Sequence, residues 1–260
     1  MLVALIMTLG SIVQGAVGFA SGLIGVPLLV LCNFSLPEAA TINLVSTSLQ
    51  NVTGAWKLWP HLEKRELVLP VIVRSLALPF GTYAAYLANR QLNPAQSKQL
   101  VGVFLLVVVS LLLGLKARPR EYLHWSWQVI AFSASGFLMG FAAIGGAPMV
   151  LYVNSLDWSA HKSRAFLFFC SAAVLPIAFA SFWYEHGTQI LPAVGMTLTL
   201  MPLILSGLWV GLKLGHQISK PLFRRVTYGL IIAIAVFSIA TPFLANRTAG
   251  ATFLTPEELR

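Results

Sequence analysis

Charge is the scarcest property of this sequence, and its scarcity decides the class of protein. Only 10% of the 260 residues are charged, 57% are apolar, and the mean hydropathy is +0.80. No water-soluble core of this size requires so much apolar sequence, so we place the chain in a membrane. Alternating strands of roughly ten residues are absent, whereas apolar stretches of about 20 residues recur between short basic loops. The pattern predicts an all-α polytopic membrane protein.

Acidic residues are particularly few, and none lies in the middle of an apolar stretch. All eight fall in loops, at span ends or in the C-terminal tail: Glu38, Glu63, Glu66, Glu121, Asp157, Glu185, Glu257 and Glu258. Because buried carboxylates usually bind cations and relay protons in membranes, cation transport lacks its ligands here. An anion would leave a cell that is negative inside with about 2.3 kcal/mol of help per charge per 100 mV. We therefore expect export of an anion.

Residues suited to catalysis or metal binding are also sparse. The two cysteines, Cys32 and Cys170, have no CxxC partner, and the five histidines lie near loops without HExxH spacing. We expect no enzyme, no metal and no organic cofactor. The net charge of +9 does not indicate nucleic acid, because the Lys and Arg residues lie in loops between apolar segments, where they orient the helices.

The apolar stretches fall into two classes of length. Six are each about as long as the roughly 20 residues that one crossing helix needs, at 37–56, 67–88, 100–115, 165–184, 190–212 and 226–244. Residues 1–37 and 122–156, in contrast, contain no Asp, Glu, Lys or Arg. At about 1.5 Å per residue, each of these runs would form a helix well over the ~30 Å hydrocarbon core. Each is either one strongly tilted helix or a hairpin of two short helices.

The basic residues choose between these alternatives. With one helix per run, the loop Lys and Arg residues divide eight against eight between the two sides of the membrane. With a hairpin per run, they divide twelve against four, and Arg74 lies inside a span. The second division satisfies the positive-inside rule, so we prefer hairpins and assign the twelve-charge side to the cytoplasm, at a bacterial inner (plasma) membrane. Both termini then lie on the opposite side.

An internal repeat supports this division. Three pairs of residues recur at a separation of 121 positions: Gly15 and Gly136, Gly25 and Gly146, and Pro27 and Pro148. Each half then has five elements, an odd number, so the two repeats have inverted topology. We predict a first repeat at 1–115, with a Gly-rich re-entrant hairpin at 1–33 and helices at 37–56, 67–88 and 100–115. The second repeat, 122–244, has its hairpin at 125–153, helices at 165–184, 190–212 and 226–244, and a non-cytoplasmic tail, 245–260.

The turns of the two hairpins are the first candidate for a substrate site. A helix start carries partial positive charge and free N–H groups, so two such starts that meet near the midplane would bind an anion. The prolines suit the first turn of each returning helix, because proline lacks the N–H that would be unpaired there. Close helix packing by small residues is the alternative explanation. The candidate residues are Gly18, Ser21, Gly22, Gly25, Pro27, Gly140, Gly145, Gly146 and Pro148.

Polar and basic side chains in the neighbouring spans complete the predicted site. Asn43, Thr47, Gln50 and Asn51 share one face at helical spacing, which favours a wet path or substrate contact over hydrogen bonding between helices. Arg74 lies about two turns into its span, where it either attracts an anion or snorkels to the interface. Arg164 occupies the position equivalent to Asn43 in the repeat, where it either recruits anions or anchors the cytoplasmic end.

The two glycine-rich elements, GAVGFASGLIGVP and GFLMGFAAIGGAP, resemble the paired signature of the sulfite exporter TauE/SafE family, also called the toluene sulfonate uptake permease family. The resemblance runs over nearly the whole chain. It implies transport of sulfite, sulfonates, sulfoacetate or related organic anions, in either direction. It places the site at Gly22, Gly25 and Pro27 and at Gly145, Gly146 and Pro148.

The chain departs from the family pattern at two places. The first element reads SGLIGVP instead of a run of glycines, and the corresponding helix of the second half reads AFLFFCSAA where the family has a polar stretch. A passive anion channel and a non-transporting accessory membrane protein are the alternative functions. The predicted partners are a small anion and the lipid bilayer, with an oligomer possible.

Overall fold

The computed structural model describes residues 2–32, 34–91, 120–121 and 123–217, and isolated positions between 219 and 229. Within these ranges the chain is helical and forms no strand; its single β contact is an isolated bridge between Arg120 and Leu156. The all-α class is therefore confirmed. The helices predicted at 100–115 and 226–244 and the tail at 245–260 lie outside the described residues.

The helices are numbered here in chain order over the described ranges. They are α1 (Leu2–Val17), α2 (Ser21–Leu31), α3 (Leu36–Leu58), α4 (Lys64–Gln91), α5 (Trp125–Ala142), α6 (Gly146–Asn154), α7 (Ala160–Ala173), α8 (Leu175–His186) and α9 (Leu191–His216). Short 3-10 turns at Trp59–His61 and Gly187–Ile190 follow α3 and α8. The start of α3 is fixed by a capping box, in which Ser35 and Glu38 satisfy each other's backbone N–H groups.

One predicted helix is divided in the structure. The stretch predicted as a single span, 165–184, begins earlier, at Ala160, and breaks at Val174 between α7 and α8. Pro176 explains the break, because it has no N–H to donate to the carbonyl of Ala172, four residues before it. The break opens beside Ser171, a side chain that contributes to the site described below.

Each long uncharged run folds into two helices that run in opposite directions. In the first run, Gly10 of α1 lies against Ser21 of α2, and Met7 lies against Gly25. In the second run, the Ser135 hydroxyl of α5 donates to the carbonyl of Gly145 just before α6, and the rings of Phe132 and Tyr152 meet edge to face. We call these pairs hairpin 1 (α1 and α2) and hairpin 2 (α5 and α6).

The two halves of the chain interlock through glycines. Helix α1 packs along α9, and α5 packs along α4. A Cβ added at Gly81 would overlap the carbonyl of Phe137, and one at Gly140 would overlap the carbonyl of Leu78, so α4 and α5 touch backbone to backbone. In the predicted repeat α1 corresponds to α5 and α4 to α9, so each hairpin packs on the corresponding helix of the other half.

Two described segments are long and apolar enough to cross a membrane, Arg65–Ala88 and Leu175–His216, while α1 and most of α2 form shorter apolar helices. The outer surface carries large apolar side chains that water would not favour, among them Trp56, Phe80 and Tyr184. The buried core surrounds the two hairpins and the middle of α3. This arrangement encloses polar groups at the centre of an apolar molecule.

Candidate anion site between the two hairpins

The turns of the two hairpins meet inside the bundle. Gly18 and Ala20 turn hairpin 1 with positive φ angles of 86° and 96°, and Ala143 turns hairpin 2 at 55°. A positive φ is natural for glycine but strained for alanine, so Ala20 and Ala143 are held there by their surroundings. The ring of Phe19, between the first two, lies against Gly146 at the start of α6, where an added Cβ would be 3.2 Å away.

Neither of the returning helices is capped at its start. The residues before α2 and α6 are Ala20 and Gly145, which have no side chain that could cap the helix, although the N–H of Ser21 in the first turn of α2 donates to Oε1 of Gln14. The first N–H groups of an uncapped helix need another acceptor, and together they carry partial positive charge. Both starts border the same cavity, through Gly22 and Leu23 on one side and Gly145 and Gly146 on the other.

This central cavity encloses about 380 Å³ of empty space, including its opening. Polar residues from four different helices and apolar residues from both turns surround it. They are Gln14, Phe19, Ala20, Gly22, Leu23, Asn43, Thr47, Asn51, Arg74, Met139, Ala143, Ile144, Gly145, Gly146 and Ser171. Seven of the predicted site residues are therefore brought together, namely Gly22, Asn43, Thr47, Asn51, Arg74, Gly145 and Gly146.

The other predicted residues lie outside the cavity, and one prediction about them is wrong. Pro27 does not occupy the first turn of the returning helix, because α2 already begins at Ser21 and encloses the proline. Pro148 does lie in the first turn of α6. Gly140 packs against Leu78 and Thr82 of α4, and Gln50 turns its amide to the carbonyl of Ser46. The remaining four, Gly18, Ser21, Gly25 and Arg164, are neighbours of the cavity and do not line it.

Arg74 is the cationic group of the cavity. Its side chain is only 1% exposed, so it points into the bundle and does not snorkel. Nη1 donates to the carbonyl of Cys170 at 2.8 Å and to the hydroxyl of Ser171 at 3.3 Å, where the break between α7 and α8 exposes them. Nη2 lies against Gly145, and no described carboxylate forms an ion pair with the guanidinium. A buried cation without a counter-ion is costly, which points to an anion as its partner.

A chain of amides holds the remaining polar groups in place. The backbone N–H of Ser21 donates to Oε1 of Gln14, and Nε2 of Gln14 donates to Oδ1 of Asn51 at 2.8 Å. The amide nitrogen of Asn43 donates to the carbonyl of Ala143 in the other hairpin, also at 2.8 Å. These bonds tie α3 to both turns. They also fix which end of each amide is free.

Sequence reasoning missed Gln14 and Ser171. Gln14 is the lone amide among residues 2–17, whose other polar side chains are the hydroxyls of Thr8 and Ser11, and that isolation was a usable signal. Ser171 gave no such signal, because a single serine in the AFLFFCSAA stretch looks like an ordinary helix residue.

Arg164 lies just beyond the turn of hairpin 1, outside the cavity. It is fully buried, and its Nη2 donates to the carbonyl of Gly15 at 2.7 Å, at the C-terminal end of α1. A cation is favoured at that end of a helix by the helix dipole. Its guanidinium packs on Gly215 of α9, and the Cα of Arg164 lies against Gly18. The residue thus holds the turn in place.

One end of the bundle carries a cluster of three histidines. His161 Nε2 lies 3.2 Å from His216 Nδ1, and the rings of His61 and His161 stack at 5.5 Å. Burial, the positive charge of Arg164 and the neighbouring histidines lower the pKa of His161. No group of His, Cys, Asp or Glu in the described part of the chain is arranged to hold a metal ion.

Lys162 bridges the same end of the bundle. Its Nζ lies 2.9 Å from both Glu63 and Glu66, which join the start of α7 to the start of α4. Burial would lower the pKa of Lys162, but the hydrogen bonds and charges of Glu66 and Glu63 outweigh it and raise that pKa. Lys57 lies over the ring of Trp209 nearby, 3.1 Å from its centre.

Comparison with known proteins bears on this site. No curated protein and no solved structure matches the chain. The family model described as sulfite exporter TauE/SafE matches residues 2–238, a range that includes both hairpins, α3 and Arg74. The chain therefore belongs to the TauE/SafE sulfite exporter family of membrane transporters.

Proposed function

We propose that this protein carries a small sulfur oxyanion or organic sulfonate across the membrane, and that it binds the anion in the central cavity near the bilayer midplane. The observation that carries the proposal is the meeting of two uncapped helix starts and one unpaired guanidinium around a single cavity. No carboxylate lines that cavity. Catalysis is no part of the proposal, because the family is one of transporters.

The electrostatics of the cavity favour an anion. In the low dielectric of a buried site, the attraction between Arg74 and an anion is far stronger than in water. At the starts of α2 and α6, the first-turn N–H groups other than that of Ser21, which donates to Gln14, add donors that need no rearrangement when the anion arrives. The anion in turn gives Arg74 the counter-charge that the protein does not supply.

The packing of the halves supports two repeats of inverted topology. The pairs α1 with α9 and α5 with α4 are reciprocal under the predicted repeat, as a two-fold relation between repeats requires. In such transporters, rocking of one repeat against the other exposes a central site to each side in turn. The turns of both hairpins would then move relative to α3 as the anion passes.

Contacts between loops support the proposed orientation. The 3-10 turn after α3, the start of α7 and the end of α9 meet in the histidine cluster and in the Lys162 ion pairs, so they lie at one end of the bundle. The positive-inside rule assigns this end to the cytoplasm of a bacterial inner membrane. With that orientation the membrane potential favours export of the anion.

Counterflow in proteoliposomes tests the proposal. Sulfite, taurine, sulfoacetate and simple carboxylates are offered to wild type, to Gly146→Leu and to Gly195→Leu. A side chain at Gly146 meets the ring of Phe19 between the two turns, whereas nothing lies within 4 Å of a Cβ at Gly195. Saturable flux of a sulfur anion that Gly146→Leu abolishes and Gly195→Leu retains is expected.

Two other outcomes would count against this mechanism. Flux that never saturates would favour a passive anion channel over a carrier. Full activity of Gly146→Leu would show that the anion does not pass between the two turns.

A further inference from the structure

We propose that the anion leaves the central cavity at the end of the bundle opposite the histidine cluster. A buried apolar cluster closes this route in the structure and acts as its gate. The inference rests on the proposed function and adds the exit route of the anion. It follows from two cavities and from the order of the residues between them.

A second cavity, which we call the outer cleft, lies far from the histidine cluster. It encloses about 300 Å³ of empty space, including its opening. Its lining includes Leu36 at the start of α3, Ala85 near the end of α4 and His186 at the end of α8. The other ends of α3 and α4 adjoin the turn that carries His61, and α7, which precedes α8, begins next to His161. The cleft therefore lies at the end of the bundle opposite the histidine cluster.

Buried apolar side chains fill the space between the two cavities. We call six members of this cluster the plug, namely Ala40, Leu78, Met139, Ala143, Ala178 and Phe182. Met139 and Ala143 also line the central cavity, whereas Ala40 and Phe182 also line the outer cleft. The plug thus has one face in each cavity and separates them.

Helix α4 shows the order of cavity, plug and cleft most directly. Arg74 lines the central cavity, Leu78 belongs to the plug one turn later, and Ala85 lines the outer cleft. At about 1.5 Å per residue, Arg74 and Ala85 are about 16 Å apart along the helix. An anion bound at Arg74 would therefore reach the outer cleft within about half the thickness of a ~30 Å hydrocarbon core.

Helices α8 and α3 repeat this order. At the break before α8, Ser171 lines the central cavity, and along α8 Ala178 belongs to the plug and His186 lines the cleft. On α3, which runs in the opposite direction, Asn43 lines the central cavity and Leu36 lines the cleft. Helices from both halves of the chain thus surround one continuous line from the central cavity to the cleft.

Neighbouring polar side chains do not offer an anion a way through the plug. Thr41, next to Ala40, and Thr82, one turn after Leu78, are both buried. Each hydroxyl donates its hydrogen to a carbonyl of its own helix, so only lone pairs remain. Because an unpaired charge among apolar side chains is very costly, the closed plug holds back an anion, as apolar constrictions do in channels.

The plug is built from parts that can move. Met139 and Ala143 belong to the tip of hairpin 2, and Ala143 holds a positive φ of 55°. Pro79 directly follows Leu78 inside α4, and a proline there leaves the carbonyl of Ser75 without its helical donor. Helices kink at such prolines. Movement of the hairpin tip or bending of α4 would separate the two sides of the plug and open the route.

Cysteine accessibility tests the route without any transport assay. Cys32→Ser leaves the fully buried Cys170 as the background thiol. Single cysteines then replace Ala40 in the plug, Met139 at the central cavity and, as a control, Ala39, which is 0% exposed and packs in the main core. A membrane-impermeant anionic thiol reagent, sulfonatoethyl methanethiosulfonate, is added to one side of the membrane at a time.

The expected result is reaction from the side opposite the histidine cluster. A cysteine at the exposed Arg65, beside the Lys162 ion pairs, identifies the side of the cluster. From the other side, Ala40→Cys and Met139→Cys should each react roughly tenfold or more faster than Ala39→Cys, because core positions react only through unfolding. Met139→Cys should be the slower of the two, since the plug must open first. Equal rates for Ala39→Cys and Ala40→Cys would overturn the route, as would reaction of Met139→Cys from the Arg65 side alone.

Efflux of sulfite from proteoliposomes tests the gate. Leu78→Ser places a hydroxyl in the plug, so the cavity should be open at both ends whenever the histidine end opens. Its efflux should lose saturation and rise in proportion to the sulfite concentration. Leu29→Ser is the control, because Leu29 is equally buried but packs in the main core and lines neither cavity. Purely saturable efflux in Leu78→Ser would show that the plug is not the gate. Absence of wild-type flux for every anion would refute the proposed function, while the cysteine reactions still decide whether this route exists.

Discussion

At the scale of single residues, Arg74 combines charge with geometry. Its Nη1 donates to the carbonyl of Cys170 and to the hydroxyl of Ser171, and these bonds fix the direction of the guanidinium. The opposite nitrogen lies against Gly145, where a larger residue would displace it. A lysine has the same charge but one nitrogen on a flexible chain, so it cannot place one nitrogen on these partners and a second against Gly145.

We therefore expect the two substitutions of Arg74 to differ. Arg74→Lys should raise the half-saturating anion concentration about tenfold over wild type, because lysine keeps the positive charge but lacks the fixed pair of guanidinium nitrogens. Arg74→Gln should raise it further, because the cavity then has no cation. Arg65→Gln, at an exposed position near the start of α4, is the control for loss of positive charge. If Arg74→Gln had the half-saturating concentration of wild type, Arg74 would not be part of the anion site.

The residue scale also shows what sequence could and could not predict. Helical spacing on α3 correctly grouped Asn43, Thr47 and Asn51, because periodicity decides which side chains share a face. Gln50 shares that spacing, but its amide nitrogen donates to the carbonyl of Ser46 in its own helix and the residue does not line the cavity. Spacing alone does not predict such a local bond. Ser171 reaches the site because Pro176 breaks the helix beside it and Arg74 crosses from α4, and such long-range contacts leave no periodic trace.

At the scale of helices, the hairpins are each held by a residue of the other half. Arg164 of α7 binds the carbonyl of Gly15 at the end of α1, and Asn43 of α3 binds the carbonyl of Ala143 in hairpin 2. These two residues are separated by 121 positions, the spacing of the predicted repeat. Equivalent positions of the two repeats thus hold polar side chains that bind a hairpin, namely Asn43 and Arg164, and only Arg164 is charged.

Hairpin 2 is also held by the backbone contact between α4 and α5. Because a Cβ at Gly81 would overlap the carbonyl of Phe137, Gly81→Ala must push the helices apart. We expect a loss of about 1–3 kcal/mol, which lowers the thermal midpoint in detergent by several degrees.

Gly195→Ala is the matched control, because a Cβ there meets nothing within 4 Å. It should leave the midpoint unchanged or raise it slightly, since alanine favours a helix over glycine by about 1 kcal/mol. Equal midpoints for the two variants would mean that α4 and α5 do not approach so closely.

At the scale of the whole molecule, side-chain contacts at one end of the bundle join the two halves of the chain. The proposed cytoplasmic end joins three segments through His61, His161 and His216 and through the ion pairs of Lys162. These contacts connect the first half of the chain to the second, so any rocking of one repeat against the other must break them. They are thus suited to hold this end closed.

The charges around His161 make this closure sensitive to pH. Burial opposes the protonation of His161, as do Arg164, His216 and His61, which face it. Lys162 beside it stays positive because Glu66 and Glu63 raise its pKa. The hydrogen bond between His161 and His216 also needs one unprotonated nitrogen as acceptor. A folded-state pKa below the ordinary 6.5 means that the closed contact prefers the neutral ring. The stabilisation that the contact of neutral His161 gives is present in full above pH 6.5, and it is lost as the pH falls through the lowered pKa of His161.

Acidification from pH 7.5 to about 5.5 should therefore loosen this end of the molecule. The measurement is hydrogen exchange at backbone amides 59, 61, 62 and 214–217, whose protection factors should fall at the lower pH after correction for the slower intrinsic exchange there. His161→Gln should abolish the extra response, since an amide keeps a hydrogen bond without titrating. His186→Gln, at the end of α8, is the control, because His186 is outside the histidine cluster and its loss should leave the response of the cluster intact. If His161→Gln responds to pH as wild type does, the closure depends on the ion pairs of Lys162 and not on the histidines.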